Sequence, residues 1–120
     1  MRAVRGDEMW RLIDTEGVSH LNGAPMVLSL LVNAERAHPL EHPLTVMTAA
    51  APPNPATLAQ TEALGARVIH VYGLTETYGP HTVCQWQVSW GGADPAERAR
   101  LLSRQGGAMG MADPIRVGGP

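Results

Sequence analysis

The chain has 120 residues, enough for one small domain, with 44% hydrophobic residues and a formal net charge of −2 from 9 basic and 11 acidic side chains. That balance excludes the basic face a nucleic-acid or membrane-surface protein needs, and the apolar content excludes intrinsic disorder. All 9 basic residues are Arg, so no mechanism can draw a lysine from this chain; the single Cys84 excludes an intrachain disulfide and fits a reducing cytoplasm.

Arg2 and Arg5 precede no apolar h-region, so no signal peptide is expected. Asp7 is the expected N-cap of a first helix, with Met9, Trp10, Leu12 and Ile13 on one face and Gly17 as its stop. A short strand is expected at 18–21. Pro25 opens a second helix, "PMVLSLLVN", apolar nearly all round and therefore expected to be buried on most sides. No apolar run approaches the roughly 20 residues of a membrane span.

"LTVMTA" at 44–49 and "RVIHVY" at 67–72 read as strands. Between them Asn54 and Pro55 start a third helix, striped by Leu58 and Leu64 and ended by Gly65. Strand, helix and strand over this length form a βαβ unit with a parallel pair and a right-handed crossover, so the fold class is α/β. Downstream, "TVCQWQVSW" alternates, with Cys84, Trp86, Val88 and Trp90 in the apolar phase, as a half-buried strand or extended segment would. Asp94-Pro95-Ala96-Glu97 caps a fourth helix expected to end near Gly106-Gly107.

The two parallel strands end on the same edge of the sheet, where ligands of open α/β sheets bind. "AAAPP" follows one strand and "YGLTE" the other. Gly73 allows close backbone approach. The Thr75 hydroxyl can donate to a phosphate oxygen, and the Glu76 carboxylate suits Mg²⁺. The Tyr72 ring can stack on a nucleobase. These residues alone leave two readings open: a nucleotide site, or a strand ending at Tyr72 with a turn at Gly73 and a helix cap. His20, His38, His42, His70 and His81 match no metal-ligand spacing, and Cys84 reads as an inert buried thiol.

"HVYGLTETYGP" closely resembles the Tyr-Gly-x-Thr-Glu signature of the adenylate-forming enzymes, which include acyl-CoA synthetases, firefly luciferase and peptide-synthetase adenylation domains. The stretches "GVSHLNGAPMVLSLLVNA", "HPLTVMTAAAPPNPATLAQTEALGARVIHVYGLTETYGPHTVCQWQ" and "ERARLLSRQG" resemble the medium-chain fatty-acyl-CoA synthetase branch in order and spacing, from Asp7 to Val117. The resemblance implies a parallel βαβ-based segment of that family's N-terminal domain. It implies ATP, Mg²⁺ and coenzyme A as cofactor and co-substrates, and a carboxylic acid as substrate.

Residue by residue, the resemblance gives Thr75 and Glu76 the catalytic roles, Thr75 at the α-phosphate and Glu76 on Mg²⁺. It gives Tyr72, His70, Gly73 and the loop Ala50-Ala51-Pro52 to the adenine and its surroundings, and Val71, Gly73 and Leu74 to the acyl pocket. Ala50 departs from the family's usual Gly, and its methyl is expected to crowd the nucleotide or to demand a different φ, since Ala tolerates a positive φ poorly, with modestly weakened ATP binding as the result. The family's upstream phosphate loop and its C-terminal domain with a catalytic Lys are missing from 1–120. The chain is therefore expected to be a partial AMP-binding domain, inactive alone and prone to self-association through exposed apolar surface. The alternative is a small α/β remnant that keeps the packing without the chemistry.

Overall fold

The computed structural model describes residues 3–113; Arg2 and residues 114–117 of the resembling stretch lie outside them. In chain order the elements are α1 (Gly6–Glu16), β1 (His20–Gly23), α2 (Pro25–Val32), β2 (Leu44–Thr48), α3 (Pro55–Ala63), β3 (Ala66–Leu74), a 3₁₀ turn (Thr75–Thr77), β4 (Gly79–Cys84), a second 3₁₀ turn (Val88–Gly92), α4 (Pro95–Leu102) and β5 (Gly107–Ala108). The strands form one sheet in the order β1-β2-β3-β4-β5. The pairs β1–β2 and β2–β3 are parallel, in registers that include Leu21↔Val46 and Val46↔Val68. The pairs β3–β4 and β4–β5 are antiparallel.

Successive right-handed crossovers in one direction put their helices on one face of a sheet. One core accordingly joins Trp10, Ile13, Leu28, Leu31, Leu58 and Leu102 of the helices to Leu44, Val46, Ala66 and Val68 of the strands. The alternate strand positions lie on the other face, where Met47 is 38% exposed and Arg67 is exposed. Buried Trp10 is tied down by its indole N–H, which donates to the Leu31 carbonyl at 2.8 Å. No helix among the described residues is long and apolar enough to cross a membrane.

The βαβ unit and its caps match expectation. The Asn54 carboxamide oxygen accepts the Ala56 N–H at 2.8 Å, and Asp94 accepts those of Ala96 and Glu97. Several boundaries differ. The N-cap of α1 is Arg5, in extended backbone; Asp7 lies inside the first turn, where its charge complements the helix dipole. β1 begins at His20 rather than 18, and Val18 packs against the core ahead of it. α2 is buried through Leu28 and Leu31, but Met26 is 69% exposed.

The largest corrections fall after Tyr72. β3 continues through Gly73 and Leu74, and Gly79–Cys84 returns against it as a hairpin partner. The extended segment thus ends at Cys84 instead of running to Trp90, and Val88 is 93% exposed rather than in an apolar phase. Trp86 and Trp90 fold back onto the core as an edge-to-face pair with centroids 5.9 Å apart. α4 stops at Leu102, and the chain after it crosses β4 so closely that a Cβ at Gly106 would overlap the Val83 carbonyl.

Candidate functional site

Pairing of β2 with β3 ends at Thr48↔His70, whereas β3–β4 pairing continues to Leu74↔Gly79. β3 therefore overhangs its parallel neighbour by four residues, Val71 to Leu74, about 13 Å of extended chain. Ala49 and Ala50, leaving the end of β2, face that overhang across a cleft of about 580 Å³. Val71, Tyr72, Gly73, Leu74, Thr75 and Glu76 form the rest of its wall with Gly79 and Pro80. The volume lies within the roughly 300–1,000 Å³ of small-ligand sites.

Inside this cleft Val71 is buried, Tyr72 is 38% exposed and Leu74 is 51% exposed. Thr75 and Glu76 are exposed on the 3₁₀ turn, and among the described residues neither side chain takes a hydrogen bond or ion pair within the chain. Their oxygens are available to a ligand. Magnesium in nucleotide sites is held by one or two carboxylates together with phosphate oxygens and water. A single free carboxylate at the cleft rim fits that donor set. Among the described residues no group of three or more His, Cys, Asp or Glu is arranged to hold a metal unaided.

Gly73 has a structural reason of its own. A Cβ there would overlap the Gly79 carbonyl, where the β3–β4 register shifts between Tyr72 and Gly73. The site requires glycine for the hairpin bulge before any ligand is considered. Ala50 adopts φ 83, a left-handed backbone that suits glycine and that alanine tolerates poorly.

Three of the named residues stand off the cleft wall. Ala51 and Pro52 are exposed beyond it, and His70 is 1% exposed. His70 shares the helix-covered face with Ala66 and Val68, and its Nδ1–H donates to the Arg104 carbonyl at 2.9 Å. Cys84, on the partner strand, is also buried; its environment pushes the thiol up, with Arg104 partly opposing the shift. Gly79, Pro80 and Thr77 belong to the cleft or its support and were missed by sequence reasoning, because they depend on the hairpin, whereas Ala49 opens the "AAAPP" loop already placed at this edge. The signal available was Tyr78-Gly79, two successive positive-φ residues at 61° and 130°, in a context less recognisable than Asn-Gly.

The chain matches the AMP-binding enzyme family over residues 2–115. It is 48% identical over 105 residues to probable acyl-activating enzyme 10 of Arabidopsis thaliana, covering 88% of this chain and 19% of that protein. It is 43% identical over 120 residues to 2-methylpropanoate–CoA ligase CCL4 of Humulus lupulus, covering 100% of this chain and 22% of that one. The chain thus spans about a fifth of the length of these relatives. Among solved structures, the N-terminal domain of FACL13 from Mycobacterium tuberculosis superposes with a TM-score of 0.68 at 21% identity, over 90% of this chain and 26% of that one. At that identity the likeness is one of fold: the sheet and helices are arranged as in that N-terminal domain.

Proposed function

The chain belongs to the AMP-binding enzyme family, and we propose that it is a segment of an ATP-dependent acyl-CoA ligase carrying part of the nucleotide and acyl site. In the reaction a carboxylate oxygen attacks the α-phosphorus of ATP and pyrophosphate leaves, giving acyl-AMP. The thiolate of coenzyme A then attacks the acyl carbon and AMP leaves, giving the thioester. The observation that carries this reading is the cleft itself. Thr75 and Glu76, whose side chains have no partner among the described residues, line it together with Ala50 and the β3 overhang.

In this reading the Thr75 hydroxyl donates to an α-phosphate oxygen, where charge accumulates during attack. Glu76 holds Mg²⁺, which when bound neutralises phosphate charge. Tyr72 and Ala50 flank the adenine, with Gly73 behind, while Val71 and Leu74 meet the acyl group. Ala51, Pro52 and His70 act through the backbone that carries them, since their side chains lie off the cleft wall. A fatty acid as substrate is supported by apolar Val71 and Leu74. A cytoplasmic setting is supported by the free, buried Cys84. Self-association is supported by exposed Met26, Met47 and Leu74.

The test is calorimetric titration of the 120-residue chain with ATP and Mg²⁺, and with a non-hydrolysable acyl-AMP analogue. Binding that Thr75→Ala and Glu76→Ala each weaken by about tenfold, at unchanged melting temperature, is expected from the loss of one charge-assisted contact. Carboxylate-dependent pyrophosphate release is not expected, because the chain supplies no lysine to the reaction. Absence of nucleotide binding would favour the non-catalytic remnant.

A further inference from the structure

Thr75 and Glu76 share one 3₁₀ turn, and a neighbouring side chain outside the pair holds that turn. The Thr77 hydroxyl oxygen accepts the Leu74 N–H at 2.9 Å, and lies 3.0 Å from the Leu74 carbonyl and 2.9 Å from the Gly79 carbonyl. A hydroxyl has one proton, so it donates to one of these carbonyls at a time or is shared between them. Backbone groups from β3 and β4, the two arms of the hairpin, therefore converge on a single oxygen.

Little else fixes this turn. Its backbone closure is the Tyr78 N–H, which donates to the Thr75 carbonyl at 3.2 Å. Tyr78 itself sits at φ 61 with its side chain fully exposed, a left-handed conformation unusual for a bulky residue. Strain of this kind persists only where surrounding bonds over-determine it. The Thr77 bonds, reaching to both sides of Tyr78, supply that constraint. They also complete the ladder, because the Leu74 N–H is satisfied by Thr77 Oγ1.

We propose that Thr77 is a positioning residue, whose hydroxyl fixes the turn so that Thr75 and Glu76 meet phosphate and metal in one geometry. This rests on the reading of the cleft given above. Valine keeps the β-branched shape at position 77 and removes both donor and acceptor; serine keeps the hydroxyl.

The experiment uses the ¹⁵N-labelled 120-residue chain as wild type, Thr77→Val and Thr77→Ser, read by amide hydrogen exchange, amide chemical shifts and titration with ATP and Mg²⁺. In Thr77→Val the Leu74 amide should exchange about tenfold faster and nucleotide affinity should fall about tenfold, the equivalent of one hydrogen bond. The serine variant should keep both. Unchanged Leu74 exchange in Thr77→Val overturns the proposal, as does unchanged affinity once protection is lost. A merely structural role would lower protection along all of β3 and leave affinity per folded molecule untouched. If Thr77→Val does not fold, the serine variant decides: retained Leu74 protection and affinity uphold the role, and their loss overturns it. If the wild-type chain binds no nucleotide, the reading of the cleft falls. Thr77 is then judged by the Thr75 and Glu76 amides: shifts that move in the valine variant and return in the serine variant uphold it, and shifts that stay put overturn it.

Discussion

Ala50 is the residue whose replacement tests most about this site. It leaves β2 at φ 83 and lines the cleft opposite the β3 overhang. An L-residue held in left-handed backbone costs about 1–2 kcal/mol through the contact of Cβ with the following carbonyl. Glycine removes that contact but gives the unfolded chain more freedom, an offset of about 0.4–1 kcal/mol. Ala50→Gly should therefore stabilise by about 0.5–1 kcal/mol, the difference between the two effects. For a domain of this size that raises the melting temperature by about 2–4 °C. Ala50→Val should move the other way, because a β-branched side chain tolerates positive φ worse than alanine does. The assay is thermal unfolding of all three proteins, followed by circular dichroism at one concentration. A glycine variant that melts at or below wild type, or a valine variant that matches the glycine one, would refute the left-handed strain. The same glycine variant should bind ATP with Mg²⁺ at least as tightly as wild type, since it removes a methyl from the cleft wall. Higher stability with weaker binding would separate the two effects and sink the crowding part of the reasoning.

Gly73→Ala should destabilise by about 1–3 kcal/mol in urea denaturation, because its Cβ meets the Gly79 carbonyl backbone rather than a movable side chain; wild-type stability would show that the bulge can open freely. Cys84 is 2% exposed and its thiol is pushed up by burial, so alkylation by iodoacetamide at pH 8 should be at least about tenfold slower in the native than in the urea-unfolded chain. Equal rates would mean that the strand opens readily. Glu97 is held below the usual carboxylate range by its hydrogen bonds from Arg100, and Glu8 likewise by Arg11. For both, the folded-state value is depressed, so their contribution is fully present above the ordinary value of 4.5 and is lost as pH falls through the lowered folded value. Melting temperature against pH should accordingly fall less steeply on the acid side for a Glu8→Gln, Glu97→Gln variant than for wild type; parallel curves would assign acid sensitivity elsewhere.

The parallel half of the sheet was legible because its determinants are local. Asn54-Pro55 and Asp94-Pro95 cap their helices through side-chain oxygens two or three residues away, and "LTVMT" alternates between core and open face as a strand must. The hairpin was less legible because its determinants are mutual. Tyr72-Gly73 looks like the end of a strand until Pro80 and Gly79 are known to pair with Gly73 and Leu74. Thr77 looks like a turn residue until its hydroxyl is seen between the two arms. His70 is a different case, since the information was present. Ala66, Val68 and His70 occupy alternate positions of one strand, so a core-facing Val68 commits His70 to the helix side, where its ring meets the Arg104 carbonyl. Period-two geometry therefore made the buried side of His70 legible in the sequence. The backbone of His70 stands at the last β2–β3 pair before the overhang.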